Sequence, residues 1–213
     1  MKDLLLDSIM NNITKYYTYS DTKLKEIRYG LESLYLSIIK VIVIFALCTI
    51  LKLHKELLLL FIFYGLLRLT AFGLHTKKSI HCWIASIITF VSIPFLIKNI
   101  YIPKTVIILL SSILLLLIYK YSPADTEKRP LINPKKRKIY KYVSTIITII
   151  YIIIIIISNN AYIQNLFFFS ILTQTLLILP ISYKLFGLRY NNYLYYKGKE
   201  DRKWNYLQKL LLY

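Results

Sequence analysis

The stretch from Arg68 to Cys82, RLTAFGLHTKKSIHC, holds two of the chain's three histidines and one of its two cysteines. A cysteine attacks a carbonyl carbon as the thiolate, and a thiol of ordinary pKa, about 8.5, is only a few per cent ionised at neutral pH. A nearby imidazole can take the proton and hold the resulting ion pair. His75 stands seven residues before Cys82, and Arg68, Lys77 and Lys78 add positive charge that favours the thiolate. Cys82 is therefore the candidate nucleophile and His75 the candidate base. The other cysteine, Cys48, sits inside an apolar run, where packing is its default role.

Spacing sets a condition on this pair. On one straight helix, residues seven apart share a face but lie about 10.5 Å apart along the axis, too far for an imidazole to touch a thiol. The chain must turn between them, and Gly73 with the polar segment 76–79 suits a turn. His75 is then expected near the end of one apolar span and Cys82 in the first turn of the next, where the helix N-terminus further favours a thiolate. His81 is a competing base, although successive helix positions point in different directions. A purely interfacial role for both histidines stays open. A zinc site from His75, His81 and Cys82 lacks a fourth ligand at a standard spacing, and no cofactor is expected.

Arg68 lies well inside an apolar run, where an ionisable group is costly and marks a functional candidate. It could bind a substrate carboxylate, hold a structural one, stabilise an oxyanion, or snorkel to the interface. Lys40 is a weaker case of the same kind. In the loop 121–130, YSPADTEKRP, Asp125 or Glu127 could orient an imidazole or pair with Arg68. The basic run 135–138 could hold an acidic peptide or lipid headgroups, or be a solvated loop.

The elements that must position these residues are apolar helices. Of the 213 residues, 57% are hydrophobic, and six long apolar runs recur at about 31–51, 56–74, 80–97, 104–121, 139–157 and 162–186. Runs of about 18 or more such residues are long enough to span a bilayer. Pro94 predicts a kink or an end in the third span, and Pro180 lies near the end of the sixth. The expected fold is all-α: a polytopic membrane protein of about six spans, forming one membrane domain over 1–213. Residues 1–30 precede its core as an amphipathic segment, with Leu5, Leu6, Ile9, Ile13, Tyr16 and Tyr17 on one stripe. That segment could lie on the membrane surface or pack on the protein. It does not read as a cleavable signal peptide. The tail 187–213 is basic and rich in tyrosine, which suits the headgroup layer or a flexible tail.

Charge sets orientation. Of 28 Lys and Arg, five precede the first span, three lie at 68–81, eight at 119–141 and seven after 183. With the N-terminus inside, these twenty-three face the cytoplasm, four (Lys52, Lys55, Lys98 and Lys104) face outward, and Lys40 lies within a span. Both termini and the His75–Cys82 stretch are thus expected on the cytoplasmic side of a multi-pass cell-membrane protein, where a thiol stays reduced. The net charge of +18 then reflects loops beside anionic lipid, and nucleic acid is not expected as a partner.

At Arg68, Gly73, His75 and Cys82 the chain resembles the AgrB family, the accessory gene regulator B membrane peptidases of bacterial peptide quorum sensing. The loop 123–130, PADTEKRP, is similar to that family's second signature. Size, span count and the basic side agree, so the resemblance covers nearly the whole chain; His81 is an extra without a place in it. The resemblance implies a cysteine endopeptidase with Cys82 as nucleophile and His75 as general base, and Arg68 and Gly73 as further site residues. Its implied substrate is a propeptide whose acidic C-terminal tail is cleaved off, the remainder being closed to a thiolactone or lactone through an acyl-enzyme thioester. A strongly basic face would steer such a tail. A homodimer is implied in the same way. Two readings compete: a small peptide transporter with Arg68 and Lys40 along a path, and a non-enzymatic membrane scaffold.

Overall fold

The computed structural model describes residues 2–74, 79–127, 130–196 and 198, without the side chains of Ser79 and His81. The described residues are mostly helical, with no strand among them, and an isolated parallel bridge joins Phe72 and Ala124. The chain divides into two compact units, 1–51 and 52–213.

The first unit is a helical hairpin. Helix α1 (Lys2–Tyr16) packs on α2 (Asp21–Ile50) by burying Leu6. Two ion pairs tie them: Lys2 Nζ to Glu32 Oε1 at 2.6 Å and Arg28 Nη2 to Asp7 Oδ1 at 2.9 Å. The amphipathic stretch 1–30 is therefore one helix and the start of another, joined at 17–20. Of the predicted stripe, Leu6 is buried and Ile9 and Ile13 are half-buried, whereas Leu5, Tyr16 and Tyr17 are exposed. At 30 residues α2 is about 45 Å long, longer than the predicted first span.

The second unit contains α3 (His54–Ala71), α4 (Ser79–Asn99), α5 (Lys104–Tyr121), α6 (Pro134–Ile157), α7 (Ala161–Ile178) and the short α8 (Pro180–Leu185). Helix α7 is central and packs against α3, α4, α5, α6 and α8. Phe63, Tyr151 and Phe167 form an aromatic knot at its side. Centroids of Phe63 and Phe167 are 4.6 Å apart and those of Tyr151 and Phe167 4.8 Å, and the Tyr151 hydroxyl donates to the Phe63 carbonyl at 2.9 Å. Asn133 caps α6 by accepting from the N–H groups of Lys135 and Lys136, with Pro134 in the first turn. The basic run 135–138 is thus the start of a helix, not a loop. Pro94 lies within α4, which continues to Asn99, whereas Pro180 starts a new helix after Leu179.

Among the described residues, α2, α4, α5, α6 and α7 are long and apolar enough to cross a membrane. The predicted second span, α3, matches them in length but carries Lys55, Glu56 and Arg68. Five spans plus this charged helix account for the six apolar runs.

Candidate functional site

Helix α3 ends at Ala71 and α4 starts at Ser79, so the interruption that the His75–Cys82 spacing required is present. Cys82 is the fourth residue of α4, half-buried and outside any disulfide. That position lies in the helix's first turn, where unpaired backbone N–H groups favour a negative charge. Cys48 is wholly buried in α2. His75, Lys77 and Lys78 lie outside the described residues, as does the side chain of His81.

The turn leading to His75 is held from three sides. The Gly73 N–H donates to the Ala124 carbonyl at 2.8 Å, and the Ala124 N–H donates to the Ala71 carbonyl at 3.0 Å. The Leu74 N–H donates to the Leu177 carbonyl of α7 at 2.9 Å. Arg68 then reaches over its own helix end: Nη1 donates to the Phe72 carbonyl and Nη2 to the Leu74 carbonyl, each at 2.7 Å. The second of these carbonyls belongs to the peptide bond that joins Leu74 to His75. Among the described residues Arg68 forms no ion pair; its two contacts fix loop carbonyls instead.

Backbone strain is concentrated at the same point. Phe72 has φ +56°, a left-handed conformation costing a bulky residue about 1–3 kcal/mol. Gly73 has φ +120°, a region side chains rarely enter. A Cβ on Gly73 would overlap the Arg68 guanidinium and lie 2.9 Å from the Leu177 carbonyl oxygen. Only glycine lets that guanidinium lie against the turn. The Gly73 predicted from sequence is thus explained by both φ and space.

Gln174 of α7, missed in the sequence, completes the clamp. It is 0% exposed, and its Nε2 donates to the Phe72 carbonyl at 2.7 Å. Both lone pairs of that carbonyl are then used, one by Arg68 and one by Gln174. A polar residue deep in an apolar span was the available signal; the intramembrane argument that picked out Arg68 extends to buried amides. Tyr64 was missed as well. It lies one turn before Arg68, and its ring meets Phe90 at 5.6 Å, where α3 packs on α4.

Asp125 serves a different network. It is 2% exposed, and its Oδ2 accepts from the N–H of Tyr193 at 2.8 Å and of Leu131 at 3.2 Å. Its ion pair is with Arg137, 3.7 Å away, not with Arg68. The Arg137 guanidinium stacks 3.6 Å from the Tyr193 ring centroid and also donates to the Pro123 carbonyl. Tyr183 donates to the carbonyls of Ala124 and Asp125. Burial pushes its hydroxyl well above the ordinary tyrosine range, so it remains a donor. Burial likewise raises Tyr190 to about 12. Glu127 is exposed, and its carbonyl accepts from Tyr196. Asp125 thus locks the loop 121–131 to α6 and to residues 189–193. Through Ala124 the same loop braces Gly73.

These features define a class: a polytopic helical membrane protein with a thiol at the start of one helix and a clamped, strained turn before it. Over residues 6–178 the sequence matches the family Accessory gene regulator B, AgrB, and the chain belongs to that family. It is 29% identical over 189 residues to a putative AgrB-like protein of Clostridium acetobutylicum, covering 89% of this chain and 90% of that protein. A putative AgrB-like protein of Listeria welshimeri is 32% identical over 168 residues, 79% of this chain and 82% of the relative. The accessory gene regulator protein B of Staphylococcus aureus is 31% identical over 182 residues, 85% of this chain and 96% of the relative. No solved structure matches the chain. Family membership supports a part in accessory gene regulator quorum sensing.

Proposed function

We propose that the chain is a membrane-embedded cysteine endopeptidase that trims and cyclises an autoinducing propeptide. The observation that carries this reading is the position of Cys82 in the first turn of α4, after a clamped turn whose last fixed peptide leads into His75. His75 takes the Cys82 proton. The thiolate adds to a peptide carbonyl near the propeptide's C-terminus, the C–N bond breaks, and the leaving amine takes that proton from His75. The peptide remains as a thioester on Cys82. A side-chain thiol or hydroxyl of the peptide then gives its proton to His75 and attacks the thioester, which closes the ring and expels Cys82 as the thiolate.

Exchange of a thioester for a thiolactone is nearly isoenergetic, so a poorly hydrated pocket serves to exclude water and keep the peptide's nucleophile close. If the six apolar runs alternate across the membrane, twenty-three of 28 basic residues share one side, which supports a cytoplasmic site that attracts an acidic tail. The reading includes the cell membrane as location and a homodimer as the working form.

Intact-mass analysis of the protein in lipid vesicles with its propeptide tests the chemistry. The expected result is a covalent adduct and a released C-terminal fragment, both lost in Cys82→Ala. A folded protein that leaves a verified propeptide uncut, or that forms its adduct without Cys82, would overturn the reading; transport unaffected by Cys82→Ala would replace it.

A further inference from the structure

We propose that the end of the second unit opposite the turn 72–74 holds a binding site for an anionic phospholipid whose headgroup carries a free hydroxyl. The site is independent of the chemistry at Cys82. A hollow of about 220 Å³ lies there between the end of α4 and the first turn of α7, lined among others by Ile97, Lys98, Ile100, Tyr101, Tyr162 and Asn165. Helices α4, α5 and α7 are each long and apolar enough to cross a membrane, and this is where α4 ends and α5 and α7 begin. That level is the boundary of the hydrocarbon, where headgroups meet tyrosine rings.

Asn165 supplies the first determinant. It is 2% exposed, and its Nδ2 donates to the carbonyls of Ile97 and Ile100, which fixes which end of the amide is nitrogen. The other end, Oδ1, is buried and accepts no hydrogen bond from the described residues. A donor entering the hollow is what such an oxygen gains from. Lys98 supplies the second determinant. Its Nζ donates to the Lys52 carbonyl at 2.8 Å, which leaves two N–H bonds on an exposed side chain. Lys104 is held at the same end, its Nζ donating to the Ser158 carbonyl at 3.0 Å. Between residues 33 and 124 the one carboxylate is Glu56, which is buried, so Lys52, Lys98 and Lys104 leave this end attractive to anions. A phosphodiester answers the ammonium but brings no donor for Asn165. A hydroxyl on the headgroup brings one. An ethanolamine headgroup also has donors, but its own ammonium would stand among the lysines.

The test titrates the full chain in detergent micelles with single lipids and reads lipid retention by native mass spectrometry. Phosphatidylglycerol is compared with phosphatidylmethanol, which has the same charge without the hydroxyl, and with phosphatidylethanolamine and phosphatidylcholine. Wild type should half-saturate at a phosphatidylglycerol concentration roughly threefold to tenfold below that of phosphatidylmethanol, the worth of one hydrogen bond to a buried acceptor. The two zwitterionic lipids should be weaker still. Lys98→Gln should weaken retention of both anionic lipids, and Ala161→Leu, which fills the hollow, should abolish the difference between them. Lys55→Gln, which removes the same charge from a residue outside the hollow, should change neither. Equal retention of the two anionic lipids by wild type overturns the proposal without recourse to any variant. So does a preference that survives in folded Ala161→Leu, or a loss in Lys55→Gln as large as in Lys98→Gln, which would mean diffuse attraction. Displacement of phosphatidylglycerol by an equal concentration of free glycerol phosphate would overturn the lipid as occupant and assign the site to a soluble phosphate.

Discussion

Helices α6 and α7 are neighbours and invert each other. The best window of α6 has mean hydropathy 2.2 and is 22% buried, whereas α7 has mean hydropathy 1.4 and is 67% buried. The less apolar helix is the central one. On α6 the buried residues are Ser144, Thr148, Tyr151, Ile152 and Ile155, while Ile146, Ile149, Ile150, Ile153, Ile156 and Ile157 are exposed. Lipid is as apolar as isoleucine, so hydrophobicity gives a side chain no reason to turn inward. Small and polar side chains do have one, because hydrocarbon offers their polar groups no partner. On α7 the hydroxyls of Ser170, Thr173 and Thr175 each donate to the carbonyl four residues back, at 2.8, 2.7 and 2.8 Å. The buried hydroxyls of α7 are satisfied within the helix, whereas its buried amides, Gln164, Asn165 and Gln174, donate to carbonyls outside it. The Asn165 amide donates to the carbonyls of Ile97 and Ile100 at 3.3 and 2.6 Å, closing the end of α4.

This contrast is most exposed to failure at Ser170, which is 0% exposed. Ser170→Leu raises the hydropathy of a spanning helix, yet it should destabilise the bundle by about 3 kcal/mol, because three carbons must enter a filled interior in place of one hydroxyl oxygen. Unfolding titrations in bicelles read that difference. A stabilised variant would mean that α7 is selected for apolarity after all. A smaller effect is expected on the partner helix. Tyr151→Phe removes the donor to the Phe63 carbonyl and should cost about 1 kcal/mol by the same measurement. No change there would show that the inner stripe of α6 is held by its rings alone.

Much of this architecture was legible in the sequence, since apolar length alone places the helices. The break between α3 and α4 followed from reach, and Gly73 stood out. What the sequence did not disclose was which helix lies at the centre. Hydropathy points the wrong way in lipid: the isoleucines of α6 look like a core and are a surface. For the same reason Gln174 stayed hidden, having no charge to mark it. Asp125 was legible as a candidate but not in its role. Its partner Arg137 lies in a run of four basic residues, and nothing in sequence distinguishes the one that turns inward. Tyr193, which completes that network, comes from a tail whose tyrosines read as headgroup anchors, and Tyr183 lay at the end of the predicted sixth span.

The gentlest test concerns the outer face of α6. Ile156 is 47% exposed, and its surroundings in a membrane are acyl chains. Ile156→Leu conserves volume and apolarity, changes only where the branch lies, and should shift stability by less than about 0.5 kcal/mol. Ile155, next along the chain but 0% exposed, provides the contrast. There the same exchange must fit a fixed cavity and should cost up to about 1.5 kcal/mol. Equal effects at the two positions would mean that the exposed isoleucines are covered by protein, and the face assigned to lipid would instead be an interface.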